Sequence, residues 1–183
     1  MYIEYCPYGD LHKIFLYHRR LNQPIPEPFI WHIFESLVNV GLLMEQGSLT
    51  QAQAQAGWRL IVHRDLKPLN VFVGLHPQPV PTRDNWAAYP TIKLGDYGSA
   101  VETSLTDDLN PHDLLGHGTP MYRAPEQFEN KGDPQLLTTK TNVFGVGITI
   151  MELMSKLRHS HRRRVDCCTW RINTRSRLPR ARG

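Results

Sequence analysis

Apolar positions recur along this chain at two spacings. From Asp10 to about Leu21, Leu11, Ile14 and Phe15 share one face at helical spacing, and Asp10 can cap the first turn. Pro24, Pro26 and Pro28 end that helix. Phe29, Ile30, Ile33, Phe34, Leu37, Val38 and Leu42 then keep a helical period over 28–46, with Pro28 suited to its first turn. A third helix is predicted over 139–157; it is apolar on most faces and therefore expected to be buried. Met1–Tyr5, Leu60–Val62, Val71–Val73 and Thr91–Leu94 read as short strands, the last two as arms of one hairpin. Residues 74–90 hold four prolines and read as a surface loop, and Gln51–Ala56 as a solvated insert. Residues 99–117 are polar and read as mobile chain.

Composition divides this pattern in two. The 183 residues are 40% apolar and 21% charged, enough for one domain with a core of its own. The net charge of +4 is unevenly placed. Residues 1–154 carry 11 Lys/Arg against 16 Asp/Glu, whereas 155–183 carry 10 against 1. That second stretch mixes Arg, Ser and Pro with little apolar periodicity, so it reads as a disordered basic tail. Its charge would let the tail, and the tail alone, bind nucleic acid or an anionic membrane.

Cys6, Cys167 and Cys168 form neither a disulfide framework nor a C-x-x-C pair, which suggests free thiols in a reducing compartment. Met1–Glu4 lacks the basic start of a secretory leader, and Val143–Met154 is too short to span a bilayer. The expected setting is intracellular, cytoplasmic or nuclear, without a membrane.

Three motifs carry chemistry. His63-Arg64-Asp65-Leu66-Lys67-Pro68-Leu69-Asn70 lies between two predicted strands and fits H-R-D-L-x-x-x-N. Asp96-Tyr97-Gly98 follows the next strand, where D-F-G would stand. Gly118-Thr119-Pro120-Met121-Tyr122-Arg123-Ala124-Pro125-Glu126 closes on A-P-E. Each alone is a modest signal; in this order they are specific. With them the chain resembles the protein kinase family, and the run D-L-K-P-x-N at 65–70 resembles its serine/threonine type.

The resemblance implies ATP- and Mg2+-dependent phosphoryl transfer to Ser or Thr of a protein substrate. It makes Asp65 the base that accepts the substrate hydroxyl proton and Lys67 the cation facing the transferred phosphoryl group. Asn70 and Asp96 would be the metal ligands, and Thr119 would tie the substrate platform to Asp65 and Lys67. Residues 3–11 resemble the hinge between the two lobes. There the Glu4 carbonyl and the Cys6 amide and carbonyl would face adenine, Asp10 would reach the ribose, and Phe72 would close the slot from below. Arg64 would meet a phosphate or acid on the activation segment, with Thr103, Ser104 and Thr106 as candidate phosphosites. Tyr97 replaces the usual Phe, and a buried phenol there would need a hydrogen-bond partner. Asn142 stands where the family usually has Asp, so a looser catalytic loop is expected.

The fold implied is mainly α with small β-hairpins: a partial protein kinase-like fold, with the C-lobe present and the N-lobe absent. Residues 1–154 form the partial domain and 155–183 the tail. Neither a Gly-rich loop nor a V-A-I-K lysine occurs in these residues, so negligible activity is expected of them alone. Glu126 is expected to lack its usual arginine partner. The rival readings are a non-catalytic, pseudokinase-like interaction fragment and an arginine-rich binder of nucleic acid.

Overall fold

The computed structural model describes residues 4–53, 55–75, 89–128 and 135–155. Among them are three α-helices and two small antiparallel sheets. The first helix, α1, spans Leu11–Arg20. Asp10 caps it by accepting from the Lys13 amide at 2.9 Å, and His18, Arg19 and Arg20 complement the dipole of its last turn. The second, α2, spans Glu27–Gln46 and buries Phe29, Ile33 and Leu37 at four-residue intervals. Gly47 ends it in the left-handed conformation (φ 71°). A side chain there would also strike the Trp58 ring, whose Cε3 lies 2.6 Å from an ideal Cβ.

Strand β1 (Leu60–Val62) pairs with β4 (Val101–Thr103), and β2 (Val71–Val73) with β3 (Ile92–Leu94). The predicted hairpin partners, β2 and β3, do pair. The β1–β4 sheet instead joins strands far apart in sequence, so it is no hairpin. Helix α3 spans Thr139–Met154 and opens with a reciprocal Thr138–Thr141 cap. It packs on α2 and β1. Gly145 allows close approach to the catalytic loop: a Cβ there would lie 2.9 Å from that of Leu66. Leu66, Val71, Val73, Val146 and Leu153 join the buried faces of α1 and α2 in one core.

Some expectations change. Glu4 and Tyr5 belong to no strand; Met1–Ile3, most of the 74–90 loop and the tail beyond Ser155 lie outside the described residues. Residues 99–117 are not bare surface chain, because their polar groups bond inward. Thr103 is fully buried, and Asn110 clasps the Leu137 backbone through two 2.9 Å hydrogen bonds. Helix α3 is buried on one side only; Val143, Met151 and Met154 are exposed. No helix of the described residues is long and apolar enough to cross a membrane.

Candidate active site

The catalytic loop runs from β1 to β2 and is braced from α3. The Asn142 Oδ1 accepts from the His63 amide at 3.0 Å, and its Nδ2 donates to the Ile61 carbonyl at 2.8 Å. The carbonyl fixes the orientation of the amide, since the reversed carboxamide would face oxygen with oxygen. The expectation that Asn142 braces the loop weakly is therefore revised: the carboxamide meets both a donor and an acceptor, which a carboxylate cannot do.

His63 is fully buried. Its Nδ1 accepts from the Asp65 amide at 3.3 Å, so the proton belongs on Nε2, which donates to the Gly95 carbonyl at 3.1 Å. Burial holds its pKa below the ordinary histidine value.

Asp65 is gripped by its neighbours. Lys67 Nζ lies 2.6 Å from Oδ2 and 2.7 Å from Thr119 Oγ1, while the Thr119 amide donates to Oδ1 at 2.8 Å. Burial pushes the Asp65 carboxyl up, but the Lys67 and Thr119 hydrogen bonds outweigh it and hold the pKa below the ordinary range. The structure thus brings Asp65, Lys67 and Thr119 together in direct contact.

Asn70 turns its Nδ2 toward the Asp65 carbonyl (2.9 Å) and Oδ2 (3.2 Å). Among the described residues its Oδ1 accepts no hydrogen bond. Its backbone carbonyl accepts from the Gly95 amide at 2.9 Å, so the turn carrying Asp96 is latched to the catalytic loop. Asp96 is exposed, in the left-handed region (φ 60°). An amide oxygen and a carboxylate are hard donors of the kind that suit Mg2+. Tyr97 is 46% exposed and lies against the His63 ring, so its phenol is not the buried group expected.

The hinge-like residues are less converged. The Glu4 side chain pairs with Lys93, and the Cys6 carbonyl accepts from the Gly9 amide at 3.1 Å. Asp10 is 7% exposed and its carboxylate is engaged by Lys13. Phe72 packs on Gly95, where a Cβ would lie 2.8 Å from the ring.

Among the described residues the Arg64 guanidinium is paired with no acid and donates to the carbonyls of Ser99 and Leu114 on the segment after Asp96. Glu126 pairs with no arginine among the described residues, as expected, and instead accepts from Thr141 Oγ1 at 2.7 Å. Sequence reasoning also missed the bond from the Tyr122 hydroxyl to Glu152 on α3, which with burial raises the Tyr122 pKa. Its only sequence signal is an acid on an otherwise apolar helix.

The family profile described as "Protein kinase domain" matches residues 1–175. The chain belongs to the protein kinase family, and its relatives place it with the serine/threonine kinases. It is 31% identical over 172 residues to the G2-specific protein kinase nim-1 of Neurospora crassa, covering 85% of this chain and 17% of that protein. It is 30% identical over 176 residues to the G2-specific protein kinase nimA of Emericella nidulans, covering 85% and 22%. With the serine/threonine-protein kinase Nek9 of Mus musculus the identity is 29% over 154 residues, covering 84% and 12%. The chain spans a fifth or less of the length of most of these relatives, and 22% of nimA.

Proposed function

We propose that this domain serves ATP- and Mg2+-dependent transfer of a phosphoryl group to serine or threonine of a protein, and that residues 1–183 alone transfer it negligibly. The observation that carries the first part is the Asp65 carboxylate, oriented by Lys67 and by both the amide and, through Lys67, the hydroxyl of Thr119. Asp65 accepts the proton of the substrate hydroxyl as that oxygen bonds to the γ-phosphorus and the bond to ADP breaks. Lys67 balances charge on the transferred group, and Thr119 fixes the carboxylate. Asn70 Oδ1 and Asp96 are the residues that would hold Mg2+, which neutralises phosphate charge when bound.

The Glu4 and Cys6 backbone would face adenine and Asp10 the ribose, with Phe72 beneath the base. Asp10 would share its carboxylate between the ribose and the cap of α1. Negligible transfer follows because these residues contain no Gly-rich loop and no V-A-I-K lysine to hold the phosphates. The tail's proposed nucleic-acid role lies outside the described residues. The exposed Val143, Met151 and Met154 favour, as a second reading, a non-catalytic fragment that docks through α3.

One assay separates these. The 183-residue chain, and a fusion preceded by the N-lobe of the Neurospora relative, are incubated with Mg–ATP and a Ser/Thr protein substrate. The fusion is expected to phosphorylate and Asp65→Asn to abolish this, while the chain alone stays silent. A silent fusion that is folded overturns the assigned roles in favour of the docking fragment. Transfer by the chain alone, lost on Asp65→Asn, overturns the inactivity.

A further inference from the structure

Gln127 follows the A-P-E motif, and none of the motifs includes it. It is 3% exposed, and its carboxamide is used from both ends. The Nε2 donates to the Arg64 carbonyl at 2.7 Å and to the His117 carbonyl at 3.2 Å, while Oε1 accepts from the Ala124 amide at 2.9 Å. Both amide protons thus have a carbonyl, and the reversed carboxamide would set oxygen against two oxygens. The Gln127 backbone carbonyl accepts from the Gly116 amide at 3.0 Å, which adds a second tie to the same segment.

The two carbonyls it grips stand just ahead of the reactive pair. Arg64 precedes Asp65; His117 is two residues before Thr119. Arg64 is held in the left-handed region (φ 63°), a conformation unfavourable for a side chain of this kind. Its carbonyl faces Gly118 so closely that a Cβ there would lie 2.0 Å away. The catalytic loop and the segment carrying Thr119 therefore touch through backbone, and one buried amide spans the junction.

We propose that Gln127 is a positioning residue that sets the Asp65–Thr119 contact by clamping the Arg64 and His117 carbonyls to a single side chain. The proposal rests on the kinase reading for its relevance to catalysis, but its geometry stands apart from it. Gln127 touches neither substrate nor nucleotide; it acts through the backbone carbonyls of Arg64, next to Asp65, and of His117, two residues before Thr119.

The test is amide hydrogen exchange by NMR on the full 183-residue chain, comparing Thr119 with Leu37 in the middle of α2. Gln127→Met keeps the length and removes the donors; Gln127→Glu keeps the shape and turns oxygen toward the two carbonyls. In both variants the Thr119 amide is expected to exchange at least tenfold faster relative to Leu37, and its proton resonance to shift upfield as the bond to Asp65 lengthens. A merely structural role would accelerate both amides by the same factor. That result, or unchanged Thr119 exchange, overturns the proposal. So does failure of both variants to fold, which would make Gln127 a determinant of the fold rather than of this contact. Phosphotransfer is not read in this experiment, so failure of the kinase reading would leave its outcome intact.

Discussion

The catalytic loop and the turn Asp96-Tyr97-Gly98 latched to it are built differently. In the first, His63, Arg64 and Asp65 have their backbone or side-chain polar groups bonded to Asn142, Gly95, Ser99, Leu114, Gln127 and Thr119. In the second, Asp96, Tyr97 and Gly98 are exposed. The geometry around Asp65 is therefore set by the fold, whereas the Asp96 carboxylate, which would meet a cation, is left open to solvent. Bonds formed within the protein stabilise it; groups reserved for a ligand contribute little to stability.

The largest break in that contrast is Gly118→Ala. The left-handed backbone (φ 89°) and the 2.0 Å approach to the Arg64 carbonyl leave no room for a methyl group. A loss of about 3–5 kcal/mol is expected in urea unfolding. A loss under about 1 kcal/mol would mean that the two segments are not in contact through backbone.

Asn142→Asp tests the brace itself. A carboxylate would face the Ile61 carbonyl that now accepts from Asn142 Nδ2. The expected cost is about 1–2 kcal/mol. A stabilised variant would show that the charged bond to the His63 amide outweighs the lost one, and would restore the sequence-based expectation.

A smaller effect is pH-dependent. The Asp65 carboxyl titrates below its ordinary value in the folded chain, so its ionised form adds stability above the unfolded pKa of about 3.9. That contribution is lost as pH falls through the lower, folded value. Equilibrium unfolding of the chain and of Asp65→Asn should therefore differ most at neutral pH and converge below about pH 4. A gap that persists undiminished at the acid end would contradict the Lys67 and Thr119 bonds. Smallest of all, Asp96→Asn in the open turn should shift stability by no more than about 0.5 kcal/mol.

The helices and the motif residues were legible in the sequence because their signals are local. Apolar spacing marks α1 and α2, and the H-R-D-L-x-x-x-N order brings Asp65, Lys67 and Asn70 into one loop. What escaped depends on partners distant along the chain. Strand β4 is the three residues Val-Glu-Thr, too short and polar to announce itself, and it exists because β1 offers an edge. The two-sided use of Asn142 and the buried amide of Gln127 depend on backbone groups placed by tertiary contacts, and the Thr141 partner of Glu126 on a side chain brought up by α3. For Arg64 the resemblance pointed to a phosphate or acid, and the carbonyls of Ser99 and Leu114 that it bonds carry no sequence signal.

Metal titration tests most directly whether Asn70 and Asp96 hold a cation near the assembled base. The full chain, labelled with 15N, is titrated with Mn2+ and ADP, and paramagnetic broadening is mapped residue by residue. Broadening centred on Asn70 and Asp96, reaching Asp65 next and removed by Asp96→Asn, is the predicted result. Broadening centred elsewhere on the acidic surface, or indifferent to Asp96→Asn, would contradict it.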